Sequence, residues 1–449
     1  MADTTITSEI PVVPRSIEPE RLAWGVLLIA FAVFCIICAL LTVGVHFFLF
    51  ESTINMQVAM TVGRGTPIIT ESDLVEQAVR VPREIFNGTN IVSPSEAQST
   101  ILFIDPQQNR RLIATVTVFS DSILTLLDAQ RPRFDWSIGQ YSIDLGGFSG
   151  KLDVFVAEHL GREFRFTLRT ESGAHIYLAG SGHYSIETTD SVVRVINRDG
   201  IAALVSPIEP QNGQSIPAGQ QGLIYDSTAV TLAPAYVDLL RNSSFEETRD
   251  NPNIPAVWEC NSSADEPPPG FFRSETVDER LVLRLIRADN AHSHGQTGCS
   301  QGFDPASSGV TVTQYDQLFL RANFQVNSQS LNICGIRGSE CPLMLRMDYV
   351  DINGTPRNWF HGFYAYIDRS STVPTRCESC ALEHERVTMG TWYTYVSDNL
   401  FTSFPPDQRP AAILSVQFYA SGHQYDVYVT ELSLLAGNLP TAPQGTDAP

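Results

Sequence analysis

Phe164–Thr170 reads FRFTLRT. Phe164, Phe166 and Leu168 alternate with Arg165, Thr167 and Arg169. Successive side chains of a strand point to opposite faces, so this period of two predicts a β-strand with one buried and one wet face. Downstream, Ala174–Leu178, His183–Thr188, Ser191–Asn197 and Ile201–Val205 read as further strands. The turn Asn197-Arg198-Asp199-Gly200 carries an Asp-Gly pair suited to the positive φ angles of a tight hairpin. Upstream to Asn55 and downstream to Tyr225, short apolar or alternating segments are punctuated by Gly, Asn, Asp and Pro, without a sustained helical period. The expected fold is mostly β, a meander of short antiparallel or stacked strands.

Ile91–Asp105 (IVSPSEAQSTILFID), Phe164–Ile186, Val192–Val205 and the closing Ser215-Ile216-Pro217-Ala218-Gly219-Gln220-Gln221 resemble the FecR-like extracytoplasmic domain. The resemblance covers residues 55–226. It implies a β domain of the kind found in single-pass envelope sensors. In signalling members of that family a folded sigma-factor-binding segment lies on the cytoplasmic side, whereas Met1–Arg21 here is short and proline-rich.

Residues 227–240 change character, with Pro234 and few alternations, and read as a linker. A second domain is expected over 241–436. Its opening Leu240-Arg241-Asn242-Ser243-Ser244-Phe245-Glu246, an early Trp258 and the closing Tyr425–Leu434 (YDVYVTELSL) resemble the galactose-binding-like jelly roll of many carbohydrate-binding modules. The resemblance implies a β-sandwich and a structural calcium held through Glu246; where that family has a second, aspartate ligand, this chain has Thr430 followed by Glu431.

Cys260, Cys299, Cys334, Cys341, Cys377 and Cys380 all fall in this second domain. An even number in an oxidising compartment predicts three disulfides, and 260–299, 334–341 and 377–380 is the economical pairing. A zinc site from Cys334, Cys341, Cys377 and Cys380 is the alternative, because zinc favours tetrahedral sulfur.

The run Asn358–Tyr366 (NWFHGFYAY) and the nearby Trp392 and Tyr395 concentrate aromatic rings. Strand alternation puts Trp359, His361 and Phe363 on one face and Phe360, Tyr364 and Tyr366 on the other. Trp359, His361, Tyr366, Trp392 and Tyr395 are the glycan-binding candidates, since sugars stack on apolar ring faces; the same rings also suit a sandwich core. Enzyme signatures are missing: no G-x-S-x-G elbow, H-E-x-x-H pair or phosphate loop. No catalytic residue is assigned, and the chain is read as a non-enzyme.

At the N-terminus, Leu22–Phe50 runs for twenty-nine residues without Asp, Glu, Lys or Arg. That is long enough to span about 30 Å of hydrocarbon as a helix. Arg15 and Arg21 precede it, and the next basic residue is Arg64, so the positive-inside rule puts residues 1–21 in the cytoplasm as a disordered tail. The bulk of the chain is then outside the cell membrane, and residues 437–449, with Pro440, Pro443 and Pro449, read as a second disordered tail. A net charge of −20 argues against nucleic acid, which needs clustered cations. These features describe a single-pass cell-surface protein that binds a glycan or envelope polymer through its jelly roll. The alternatives are an envelope sensor acting through a cytoplasmic partner, and a structural protein that self-associates.

Overall fold

The computed structural model describes residues 19–438 except 72–74, 109, 227, 288–289, 304–308 and 371. Of the two expected tails only residues 19–21, which begin the helix, and 437–438 are described. The chain falls into two compact units, Met1–Ile54 with Pro132–Gly139, and Asn55–Arg131 with Gln140–Pro449.

In the first unit the helix Pro19–His46 continues into one wider turn, Phe47–Glu51. Its apolar side chains are exposed around the whole circumference. Glu20–Glu51 is long and apolar enough to cross a membrane.

The second unit is β throughout. The strands from Gln57–Arg64 to Thr231–Pro234 belong to one closed barrel. At its centre runs Tyr141–Val156, whose first half pairs with Ser122–Pro132 and, in parallel, with Phe164–Thr170. Its second half pairs with Arg111–Val118 and Gly182–Thr188. The change of partners occurs over Gly146-Gly147-Phe148-Ser149-Gly150. Gly150 has φ 109°, and a Cβ there would meet the Ser122 Cα at 2.6 Å, so this bend requires glycine.

The alternation in Phe164–Thr170 is realised in part: Phe164, Phe166 and Leu168 are buried and Arg165 and Arg169 exposed, but Thr167, expected on the wet face, is buried too. The expected hairpin at Asn197–Gly200 is not. Val192–Asn197 pairs with Gly182–Thr188 and Gln220–Tyr225, whereas Ile201–Val205 pairs with His175–Ala179 and Gln214–Ile216. The turn therefore carries the chain from one set of paired strands to another within the barrel. Asn197 Nδ2 donates to the Gly200 and Ile216 carbonyls, and the His183 N–H donates to Asp199, which holds this crossing in place.

Residues 227–240, expected as a linker, contain two short strands. Thr231–Pro234 pairs with Gln220–Tyr225 of the barrel, and Val237–Asp238 pairs with Tyr425–Gly437. Beyond them lies a two-sheet sandwich. One sheet has the order Phe271–Val277, Arg280–Arg287, Tyr425–Gly437, Gln317–Gln329, Trp392–Val396. The other has the order Glu259–Ala264, Gly295–Gly302, Pro410–Gly422, Leu343–Asp351, Pro356–Tyr364, Glu385–Arg386. Between the sheets Trp258, Phe245, Phe324, Phe363 and Phe418 form an aromatic core. The three disulfides are Cys260–Cys299, Cys334–Cys341 and Cys377–Cys380, the economical pairing. The first joins residues directly opposite each other on neighbouring strands.

Barrel and sandwich share polar contacts within this unit. The Gln98 amide donates to the Thr394 carbonyl at 2.8 Å and accepts from its N–H at 2.9 Å. Arg64 pairs with Glu385 at 2.7 Å. The Thr391 hydroxyl donates to the Val62 carbonyl.

Candidate functional site

Trp359, His361 and Tyr395 lie in the sandwich core, at most 5% exposed. The His361 ring stacks on Tyr395 at 4.9 Å and on Trp359 at 5.9 Å. A sugar cannot reach ring faces already covered by other rings, which removes these three from the set of stacking residues. Trp359, His361 and Phe363 do share a face, and it is the one turned into the sandwich core; on the opposite face Tyr364 is also buried, in a smaller cluster with Cys334, Cys341, Cys377 and Cys380, against which Phe360 packs. Tyr366 is exposed, just beyond the strand Pro356–Tyr364 of one sheet. Trp392 begins the edge strand of the other sheet, half-buried, with Nε1 donating to Asp278 at 3.0 Å. The candidates do not form one platform.

The four-cysteine zinc alternative is also corrected. Cys334, Cys341 and His384 cluster, as do Cys377, Cys380 and His384, but the sulfurs are bonded to each other in pairs and present no thiolate. His384 Nδ1 accepts from the Gly362 N–H at 2.9 Å, so the ring proton sits on Nε2, which donates to the Gly338 carbonyl. Burial pushes this imidazole's pKa down and keeps it neutral. Glu246 is exposed, and Glu431, beside Thr430, is committed to Arg198 and Arg321.

A different place concentrates polar chemistry. Where the outer face of the sheet Gln317–Gln329, Tyr425–Gly437 and Arg280–Arg287 meets the barrel strands Arg111–Val118, Tyr141–Val156 and Gly182–Thr188, a cavity of about 580 Å³ opens. Its walls include Thr115, Asp153, His183, Arg280, Asn323 and Glu431, and Glu246 also lines it. The strand positions explain this lining. Along Gln317–Gln329, Leu318, Leu320, Ala322 and Phe324 point into the sandwich core, which turns Arg321 and Asn323 toward the barrel.

The electrostatics have two parts. Arg321 pairs with Asp153 of the barrel at 2.5 Å and with Glu431 at 3.1 Å, and Arg198 reaches the same Glu431 at 2.6 Å. Burial alone would push the Glu431 carboxyl upward, but Arg198 and Arg321 outweigh it and hold it well below the usual carboxylate range. Asp153 is held low in the same way, chiefly by Arg321. Apart from Asp153 Oδ1, which has no hydrogen-bond partner, the charges of this network are paired within the protein.

Arg280 is different. Among the described residues no carboxylate lies within ion-pair distance of it. Its guanidinium donates to the Thr115 hydroxyl and lies over the rings of Phe155 at 4.4 Å and Trp392 at 5.8 Å. Burial pushes its pKa down to about 10, partly opposed by Asp278 and Glu431. Arg280 Nε and Asn323 Oδ1 are buried without a hydrogen-bond partner. An unmet buried donor or acceptor costs about 1–3 kcal/mol; Arg111 Nε and Asp153 Oδ1, which also line the cavity, are unmet as well, so among the described residues it carries two unmet donors and two unmet acceptors, with the Phe155 ring in its wall. Of the lining, sequence reasoning singled out Glu246, Thr430 and Glu431, in the context of calcium, and it named Trp392, which lies beside Arg280. Arg280 and Asn323 carry no local signal that marks them: each is a polar residue on a strand, and the cavity they line forms from distant segments.

No family model and no curated protein matches the chain. Solved structures that resemble parts of it include a putative anti-sigma factor from Parabacteroides distasonis, at 14% identity and TM-score 0.20, with 27% of this chain and 51% of that chain covered. The chain thus spans about half the length of that protein. A family 11 carbohydrate-binding module from a Clostridium thermocellum cellulase aligns at 11% identity and TM-score 0.26, covering 47% of this chain and 99% of that one. The xylan-binding CBM22-1 domain of a Paenibacillus barcinonensis protein aligns at 12% identity and TM-score 0.25, covering 46% and 99%. At these TM-scores the likenesses carry no argument about function.

Proposed function

We propose that this is a membrane-anchored binding protein that takes a glycan, or another hydroxyl-rich envelope polymer, at the cavity between barrel and sandwich. The observation that carries this reading is the unpartnered Arg280 Nε and Asn323 Oδ1 in one cavity. A hydroxyl both donates and accepts, so neighbouring hydroxyls of one sugar can satisfy both atoms, whereas an apolar ligand satisfies neither and a simple anion accepts from Arg280 but donates nothing to Asn323. About 580 Å³ lies within the 300–1,000 Å³ typical of small-ligand sites and accommodates a short oligosaccharide end. Trp392 and Phe155, which flank Arg280, supply apolar ring surface. The helix Glu20–Glu51 serves as the anchor, with the β unit outside the cell. Single-site affinity through so few contacts is modest, and many anchored copies acting together supply avidity.

A glycan array probed with the detergent-solubilised full chain tests this. The expected result is retention on at least one oligosaccharide class. A folded chain that is retained by no glycan overturns the reading.

A further inference from the structure

The loop Pro132–Gly139 reads PRFDWSIG and connects the strands Ser122–Pro132 and Tyr141–Val156. It packs on the end of the apolar helix, and the two form one compact unit. The Arg133 N–H donates to the Ser52 carbonyl at 3.0 Å, and Arg133 Nε donates to the Ser52 hydroxyl at 3.1 Å. The Ser137 hydroxyl donates to the Phe50 carbonyl. Phe134 meets the Phe48 ring edge-on at 5.6 Å and stacks on Trp136 at 4.7 Å. Yet this docked loop turns large apolar groups outward: Trp136 is 63% exposed and Ile138 85%, beside Phe47 and Phe48 at 56% and 50%.

We infer that Trp136 and Ile138 insert into the phospholipid headgroup layer at the outer end of the helix, making the loop a second membrane contact. This rests on the membrane anchor proposed above. Glu20–Glu51 is 32 residues, about 48 Å at 1.5 Å per residue, against about 30 Å of hydrocarbon. With Trp24 at the inner boundary, roughly twenty residues cross the core. Phe47–Ser52 and the loop fixed to them then fall in the polar layer. Tryptophan is preferred at that depth, and Arg133, whose guanidinium lies 5.2 Å from the Phe48 ring, keeps its stem apolar and its charge toward phosphate. In water the exposed Trp136 and Ile138 would keep their apolar surface hydrated, which is unfavourable. The interface removes that cost.

The test uses the full chain with Cys35→Ser and Cys38→Ser, leaving the disulfides intact. A single cysteine is placed by Phe34→Cys, Ile138→Cys or Ile201→Cys, labelled with the fluorophore NBD and reconstituted into phosphatidylcholine–phosphatidylglycerol vesicles. Phe34 lies within the helix; Ile201 is an exposed barrel residue that serves as the aqueous reference. The expected result is blue-shifted emission and severalfold protection from iodide at 138 relative to 201, with quenching at 138 strongest from lipids labelled near the headgroup. If 34 is lipid-buried while 138 behaves like 201, the loop contact is overturned and the anchor stands. If 34 is itself water-accessible, the anchor fails and the loop contact with it.

Discussion

Replacing Arg321 by leucine is expected to lower the stability of the β unit by about 3–5 kcal/mol, because it leaves Asp153 and Glu431 buried without their shared cation. Both carboxylates belong to the wall between barrel and sandwich, so the loss falls on the joint between them. Arg198 still reaches Glu431, but among the described residues no second ion pair serves Asp153. The pH dependence gives a second signature. Asp153 and Glu431 are held below their ordinary values, so in the native protein their stabilisation is complete above the unfolded carboxylate range near pH 4. It is lost as pH falls from there through the folded values. In Arg321→Leu the buried Asp153 carboxyl rises instead, and acidification relieves its burial cost. The deficit measured by urea unfolding in detergent is therefore expected to narrow between pH 7 and pH 3.5. A deficit that widens with acid would show that the network does not hold these carboxylates down.

Trp258→Ala carries an effect of similar size. Trp258 is fully buried, meets Phe245 and Phe418 edge-on at 5.4 and 5.5 Å, and donates through Nε1 to the Asn242 carbonyl at 3.0 Å. Removing the indole opens a cavity in the middle of the sandwich and is expected to cost about 3–5 kcal/mol. Trp258→Phe keeps most of the ring volume and forfeits the hydrogen bond, so a smaller loss of about 1–2 kcal/mol is expected in the same urea titration. Equal losses for the two variants would mean that the hydrogen bond, rather than packing, makes this residue important.

What could be read from the chain alone follows a physical divide. The helix announced itself through an uninterrupted apolar run, and Phe164–Thr170 through strict alternation, because both signals are local. Cysteine pairing was legible because the nearest partners in sequence are also the partners in space. Alternation told that Trp359, His361 and Phe363 share a face, but not that this face would be the buried one. That is decided by which sheet stacks on it. The Asp-Gly turn after Asn197 looked like a hairpin because its backbone preference is local, whereas the strands it joins are claimed by partners elsewhere in the chain. The cavity is the extreme case. Thr115, Asp153, Arg280 and Asn323 come from four distant segments, and each sits on the polar side of its own strand. Nothing local marks a polar strand face as covered by a second body.

The central claim is that the ligand occupies this cavity rather than the exposed aromatics. It is tested by isothermal titration of the oligosaccharide best retained on the array against the full chain, Asn323→Leu and Tyr366→Ala. Asn323 Oδ1 has no protein partner, so its removal spares the fold and takes away one acceptor in the cavity. The account predicts unchanged affinity for Tyr366→Ala and a loss of about tenfold or more for Asn323→Leu, the equivalent of one buried hydrogen bond. Undiminished binding by Asn323→Leu, with loss in Tyr366→Ala, would contradict it.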